Sequence, residues 1–480
     1  MEISLNVPCI HIDRFNLSKW FGTIVTAIKS SHFIAIDLEF SGLGSKDIVN
    51  FTRNLDERYS KIKDVASTRS VVSLGISCFK IINHKGAFRT SSKQRDRNER
   101  HDIIMRSIRD MLDPIDSDAL DCDDGFDQNE YHVQAEVFDF LTLNQTNYVT
   151  DLDAEQFLRR NGFDFEKLKH RGIPYRPGNQ QEPNDYDNPS IRSLICLIVS
   201  VKPRIIVHNG LLDLAFLYQN FYSELPKNFQ MFMADLNALF SKGIYDTKLI
   251  GTFFAQKTYL EYLYHSSLRR NLRLDFDHKR NLIIEFNEKY ETSNDDIKIY
   301  DLGSKIMKYK LKNQKICENY QNFGSCELRD SCQCSHNIDI ILDEELSSKN
   351  DRVSQELKFQ LKMKKFENVE ADKSKSTDQF LNPNQKIGSH HAGNDAFMTG
   401  YYFIYSIIRN QKQWKDYKEF LKFISMEKFR NKIFIGGCSG SALVMKSAFT
   451  RTSMQHQEHI NKIFKTDWIK NLDRSDLKKD

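Results

Sequence analysis

The sequence predicts an α/β fold, a mixed central sheet covered by helices, with a small metal-bound module inserted late in the chain. Three observations predict it. Short runs rich in β-branched and aromatic residues alternate with helical periodicity from about residue 18 to 265, the order that builds layered α/β domains. The pattern lapses between about 270 and 386, where Asn, Asp, Lys and Ser dominate, and it resumes at Ser389. Inside the lapse, Cys317, Cys326, Cys332 and His336 crowd together. The chain therefore divides into residues 1–265, the first part of the main domain; 266–386, an insertion with its module at 317–336 and flexible flanks; 387–465, the second part; and 466–480, a charged tail.

Each element has its own signal. Residues 18–30 place Trp20, Phe21, Ile24, Ala27 and Ile28 on one helical face. A strand follows over 33–40, ended by Ser41-Gly42-Leu43-Gly44, then a helix over 54–66 and strands over 71–79 and 131–143, with 90–130 a solvated excursion. No helical link joins the second strand to the third, so the first three strands should form an antiparallel meander. Helical periodicity returns near 153–170 and over 191–201. Arg204-Ile205-Ile206-Val207 is a short strand, and His208-Asn209-Gly210 turns into a helix over 211–221 with Asn209 as its N-cap. Beyond 386, helices over 394–408 and 412–426 precede a closing strand at 432–435.

Composition narrows the classes. With 480 residues, 40% apolar, including 34 Phe and 19 Tyr, the chain can bury a sizeable core. Lys and Arg number 69 against 65 acids, a net charge of +4, which excludes a uniformly basic nucleic-acid coat while leaving room for local basic patches. No apolar run approaches the roughly 20 residues needed to cross a bilayer, so no membrane partner is expected. The start, Met-Glu-Ile-Ser-Leu-Asn, lacks the pattern of a secretory signal, making a cytosolic or nuclear location the default expectation. Nine cysteines, an odd number with four packed between Cys317 and Cys334, point to metal ligation rather than disulfides.

The strand over 33–40 carries two acids where a core strand should carry none. Alternation puts Ile34, Ile36, Leu38 and Phe40 on one face and Ala35, Asp37 and Glu39 on the other, so the carboxylates lie side by side. A wet edge strand would explain them; so would a hard divalent cation that neutralises both. Asp213 falls in the first turn of the helix after His208-Asn209-Gly210, where an acid also simply complements the helix dipole. Asp395 again opens a helix, behind the adjacent His390 and His391. The acids make a joint pattern that separate local explanations account for poorly.

That pattern resembles the DEDD superfamily of 3′-to-5′ exonucleases, which have a ribonuclease H-like fold, in its histidine-bearing subgroup: Asp37-x-Glu39, Asp213, and His390 with Asp395 five residues on. The subgroup's His-x4-Asp spacing selects His390 over His391. His208-Asn209-x3-Asp213, Tyr245-Asp246-Thr247-Lys248 and His390-x-Ala392-Gly393-x-Asp395-Ala396 are similar to the poly(A)-specific ribonuclease branch of the deadenylases. The resemblance implies two Mg²⁺ or Mn²⁺ ions, with Asp37 bridging both, Glu39 and Asp395 completing one site, Asp213 holding the other mainly through water, and His390 as general base.

The module is the second strong signal. Cys317-x8-Cys326-x5-Cys332-x3-His336 supplies three thiolates and an imidazole, a tetrahedral set for one structural Zn²⁺, and leaves Cys334 over. The spacing resembles a CCCH zinc finger, in which Tyr320 and Phe323 would stack on unpaired bases or else pack around the metal. Lys305, Lys308, Lys310, Lys312 and Lys315 form a basic approach, of which Lys312 and Lys315 lie nearest the finger. Arg269, Arg270, Arg273, Lys279 and Arg280 either steer an RNA tail, serve nuclear import or form a solvated helix face, and Lys362, Lys364 and Lys365 give a weak import signal. A finger between the second and third acidic motifs resembles one nuclear subfamily, that of target of early growth response protein 1. Arg69-Ser70-Val71-Val72-Ser73-Leu74-Gly75 and Asp395-Ala396-Phe397-Met398-Thr399-Gly400 match it too, although no dense arginine run follows the finger. The resemblance implies trimming of single-stranded, A-rich 3′ tails of nuclear non-coding RNAs, with release of 5′-mononucleotides. A DNA 3′-to-5′ exonuclease and an RNA-binding adaptor on an inactive nuclease scaffold are the alternatives. Oligomeric state stays open, a homo-oligomer included.

Overall fold

A computed structural model describes residues 2–44, 54–82, 130–178, 180, 188–276, 281–287, 294–305, 315–328, 331–348, 391–410, 426–437 and 441–464. The chain opens with β1 (Glu2–Ile3) and β2 (Asn6–Ile12), then α1 (Leu17–Ser30) and β3 (Phe33–Phe40). Helix α2 (Leu55–Thr68) follows, capped by the Asn54 side chain, which accepts from the N–H groups of Asp56 and Glu57. The meander continues with β4 (Val71–Ile81) and β5 (Glu130–Asn144). The periodic stretch near 153–170 is two helices, α3 (Leu152–Arg160) and α4 (Phe165–Arg171), because Gly162 takes a φ of 85° between them. Next come β6 (Ile173–Tyr175), α5 (Ile191–Val201) with a capping box from Ser190 and Ser193, and β7 (Arg204–Val207).

Helix α6 (Leu211–Leu217) runs into a π turn over Tyr218–Tyr222, followed by α7 (Phe229–Leu239), β8 (Ile244–Asp246), α8 (Thr247–Phe254) and α9 (Leu260–Phe276). Then follow β9 (Asn281–Phe286), β10 (Ile297–Asp301), β11 (Ser304–Lys305), α10 (Glu318–Phe323) and α11 (Ile338–Ser348). The chain closes with α12 (Ala392–Asn410), β12 (Lys432–Phe434), β13 (Ser441–Leu443) and α13 (Met454–Ile463). The helix expected over 412–426 and the charged tail from 466 lie outside the described residues, apart from Met426.

The main sheet is mixed, in the order β10-β2-β5-β4-β3-β7-β8-β12-β13, with β6 and β9 also pairing with β5. The expected meander is present: β3 pairs antiparallel with β4, and β4 with β5. Beyond it β3, β7, β8 and β12 are parallel, joined by helices as parallel strands require. Strands β9 and β10 fall within 266–386, yet β9 extends β5 and β10 extends β2, so part of the expected insertion belongs to the central sheet.

Alternation divides the sheet into two faces. Ile34, Ile36, Leu38, Leu74, Ile76 and Phe138 join one core under α1, α2, α5, α6 and α7. Phe33, Ala35, Phe79, Val137 and Cys9 join the other, covered chiefly by α12 and α9. There Phe33 stacks on Phe79 at 4.9 Å and meets Phe403 of α12 edge-on at 5.1 Å, contacts of the geometry aromatic pairs prefer. Asp37 and Glu39 are on the α12 face, which sets the place of the site.

Candidate active site

A polar row crosses four strands on the α12 face. Asp37 of β3 is registered with Gly75 of β4, Gly75 with Asp139 of β5, and Asp139 with His11 of β2. Gly75 leaves the gap into which α12 descends. A Cβ there would lie 1.9 Å from the Ala392 carbonyl oxygen, so any side chain would push the first turn of α12 off the sheet. That turn carries Asp395. As a result, Asp37, Glu39 and Asp395 each place a carboxylate oxygen within 4.8 Å of the others, all three half-buried.

Asp213 reaches the same region from the opposite side of β3. It is in the first turn of α6, half-buried, and accepts the backbone N–H of Leu38. It is not one of the three mutually close carboxylates, but its charge acts on Asp37. Burial, then Asp395, Asp213, Glu39 and Asp139 in that order, raise the Asp37 carboxyl well above the ordinary range. Burial, with Asp246 adding repulsion, pushes Asp213 to about 7. Such a cluster is poorly tolerated without a cation. Its donors, all carboxylate oxygens among the described residues, suit a hard divalent ion. His390 lies outside the described residues, whereas His391 is placed immediately before α12.

The turn that presents Asp213 is built differently from its expected form. Asn209 takes the left-handed conformation, φ 58°, and Gly210 occupies the N-cap position, because the Asn209 N–H is drawn to Asp246. The fully buried Asp246 carboxylate accepts from the N–H groups of Asn209 at 2.9 Å, Gly210 at 3.2 Å, Lys248 at 2.9 Å and Phe434 at 3.0 Å. It thereby ties β7, α8 and β12 into one support. Sequence reasoning quoted Asp246 within Tyr245-Asp246-Thr247-Lys248 without giving it a structural role; the adjacent Thr247 hydroxyl bonds His208 Nδ1 at 2.9 Å. Asp139 was missed as well; it is an acid between Phe138 and Phe140, where β5 is buried on both faces.

The cysteine module assembles as its spacing predicts. Cys317, Cys326, Cys332 and His336 bring their ligand atoms within 4.8 Å of one another, a fit for tetrahedral Zn²⁺, and Cys334 is outside the set. Burial raises the Cys317 thiol, but the Tyr320 N–H, Cys326, Cys332 and the Asn319 N–H outweigh it and leave the net shift downward, toward the thiolate a metal needs. Of the expected base-stacking pair, only Phe323 faces solvent, at 71% exposure. The Tyr320 ring stacks on His336 at 4.7 Å and its hydroxyl donates to Glu261 of α9 at 2.7 Å, so it fastens the module to the main domain instead of reaching out. Gly324, at φ 69°, lies against the Tyr259 ring and completes this junction.

Arg269 also departs from expectation. It is buried, not part of a steering patch: its guanidinium bonds Asp343 at 2.7 Å, Asp339 at 3.0 Å and Ser304 at 2.7 Å, securing α11 to α9. Lys315 is exposed at the edge of the finger, while Lys312, Lys308, Lys310, Lys279, Arg280, Lys362, Lys364 and Lys365 lie outside the described residues.

The chain is similar to known ribonucleases in several respects. The model of the CAF1 family ribonucleases matches residues 12–188 and 186–403, a span containing Asp37, Glu39, Asp213 and Asp395. The chain is 46% identical over 59 residues to the 3′-5′ exoribonuclease parn-1 of Caenorhabditis elegans, covering 12% of this chain and 10% of that protein. It is 36% identical over 76 residues to the poly(A)-specific ribonuclease PARN of Arabidopsis thaliana, covering 15% and 11%. The matched stretches thus span about a tenth of these relatives. Among solved structures, the RNase domain of yeast Pop2 aligns at 15% identity and a TM-score of 0.33, covering 54% of this chain and 75% of that one. With the matched family model extending over most of its length, this chain belongs to the CAF1 family of ribonucleases.

Proposed function

We propose that this protein is a metal-dependent 3′-to-5′ exoribonuclease that trims single-stranded, A-rich 3′ tails of nuclear non-coding RNAs, small nuclear RNAs among them, and releases 5′-mononucleotides. The observation that carries the reading is the meeting of Asp37, Glu39 and Asp395 from β3 and α12, with Asp213 beside them. Membership of a ribonuclease family supports RNA as substrate, and the partial similarity to a protein named poly(A)-specific ribonuclease supports adenylate tails.

Asp37, Glu39, Asp395 and Asp213 would hold two Mg²⁺ or Mn²⁺ ions, which supply charge neutralisation at the phosphate and a more acidic water. His390 would accept the proton of the attacking water, an imidazole being near neutrality at working pH. The water oxygen bonds to phosphorus as the bond to the 3′-oxygen of the preceding nucleotide breaks. A single strand suits the site because the last nucleotide must leave its neighbours to reach the carboxylates. Phe323 and Lys315 on the finger, which would hold its own Zn²⁺, would bind the upstream strand through a stacked base and a phosphate. A nuclear location follows from the subfamily resemblance, and no helix among the described residues is long and apolar enough to cross a membrane.

One assay tests the reading: a 5′-labelled A-tailed RNA and its DNA counterpart with Mg²⁺, for the wild type and Asp37→Ala. A ladder of shortened RNA that vanishes in the variant is expected. Equal shortening of DNA points to a DNA exonuclease, and binding without shortening points to an adaptor.

A further inference from the structure

We propose that His391 is a positioning residue for the catalytic turn, its ring seated by His11 and Tyr300 at the edge of the sheet; the inference rests on the nuclease reading above. His391 is the last residue before α12, and its carbonyl accepts the Asp395 N–H at 2.9 Å. Its imidazole meets the His11 ring edge-on at 6.4 Å and leans on the Tyr300 ring at 5.4 Å. Both rings of this seat are themselves fixed. His11 Nε2 bonds the Tyr300 hydroxyl at 2.9 Å, and His11 Nδ1 faces Asp139 at 3.5 Å. Asp139 in turn accepts from Ser73 Oγ at 2.5 Å. The next turn residue, Gly393, rests on the same floor, where a Cβ would lie 2.9 Å from Cys9 Sγ and 3.1 Å from the Asp139 Cβ.

The seat answers a mechanical need. Repulsion from Asp37 and Glu39 pushes Asp395 away from the sheet, and the first turn of a helix has fewer internal hydrogen bonds to resist with. Packing the residue that precedes the helix between two oriented rings holds the turn down from its far side. Tyr300 belongs to β10, so a strand from the 266–386 stretch contributes to the centre, a role that a self-contained insertion would not have.

The test measures Mn²⁺ binding by calorimetry on the full chain, independently of turnover, together with kcat and KM on an A-tailed RNA. His391→Ala should weaken Mn²⁺ binding and lower kcat by about 10- to 100-fold, the range a misplacement near 1 Å produces, with KM for RNA little changed. His391→Phe, which keeps a ring in the seat, should restore most of both. Tyr300→Ala, on another strand, should act in the same direction as His391→Ala, and Tyr300→Phe should be milder. Unchanged Mn²⁺ affinity in both alanine variants would overturn the proposal, as would His391→Phe being as defective as His391→Ala. Should the wild type bind Mn²⁺ yet shorten no RNA, the nuclease reading fails while the Mn²⁺ titrations still decide the seat.

Discussion

The acidic centre and the cysteine module are both sets of would-be metal ligands, and they are built in opposite ways. The module draws its four ligands from residues 317–336, a segment too short for a core of its own. The centre draws on Asp37, Asp213 and Asp395, brought together by a strand and two helices whose positions depend on both faces of the sheet. A local set can be organised by its ion, because binding free energy becomes folding free energy. A dispersed set must be organised by packing, and the scaffold holds the carboxylates together at a cost that the cation then relieves. The finger should therefore depend on zinc for its shape, and the centre should keep its shape without metal.

The sharpest way to break this contrast is to spoil the packing while leaving every ligand residue in place. Gly75→Val keeps a residue suited to a strand interior but drives a side chain into the Ala392 backbone. Activity and Mn²⁺ affinity should fall by at least about 100-fold, since a displacement near 1 Å suffices. Zinc content should be unchanged. A variant with normal Mn²⁺ affinity would mean that the acids organise themselves around their ion as the cysteines do.

The opposite perturbation is milder for catalysis. Cys326→Ser removes one of the four candidate zinc ligands and should free the His336–Tyr320 stack and loosen the Phe323 end of the module. Affinity for long RNA should drop about tenfold, within the roughly 1–3 kcal/mol that one stacked base contributes. Mg²⁺-dependent hydrolysis of short oligonucleotides should persist. Zinc loss that also abolished this hydrolysis would show the finger to be part of the catalytic scaffold, by way of Glu261 on α9, which packs along α12.

The same contrast explains what could be read from the sequence. The finger was legible in full as a ligand set because its spacing is local; Tyr320 was left open between base stacking and packing around the metal, and the structure shows the packing, fixed by a partner, Glu261, that is far away in the chain. The acids were legible as types at the right element ends, and α5 and β7 matched their expected ranges because Lys202 and Pro203 separate their two apolar runs. Strands β2, β9 and β10 gave no clear signal. β2 contains Pro8 and His11, and β10 is partly to fully exposed along its length, so neither shows a clean alternation. Arg269 read as part of a basic cluster for RNA, import or solvent because its carboxylate partners stand some seventy positions later, at Asp339 and Asp343. Gly75 and Asp246 act through backbone groups of remote segments, and composition does not record such contacts.

The smallest expected effect bears on whether the centre is strained when empty of metal. Asp213 is pushed to about 7 in the folded chain, mainly by burial, against about 3.9 when unfolded. A carboxyl raised in this way adds stability that is full below about pH 4 and is lost as the pH climbs through 7, since the unfolded chain gives up the proton first. Asp37 is raised too and works in the same sense. Without Mg²⁺, then, the protein should lose stability between pH 5 and 8. Asp213→Asn, neutral throughout, should raise Tm at pH 8 by about 1–2 °C, the shift that roughly 1 kcal/mol produces in a domain of about 350 residues at about 2.1 cal/mol/K of unfolding entropy per residue, and flatten the slope. Calorimetry on zinc-loaded protein without other divalent ions measures this directly. Metal binding should show the mirror image, with Mn²⁺ affinity rising by up to about tenfold per pH unit below 7 as Asp213 releases its proton. An Asp213→Asn variant no more stable than the wild type at pH 8 would mean that this carboxylate is already compensated by the Leu38 N–H, and that the strain resides in the Asp37, Glu39 and Asp395 group alone.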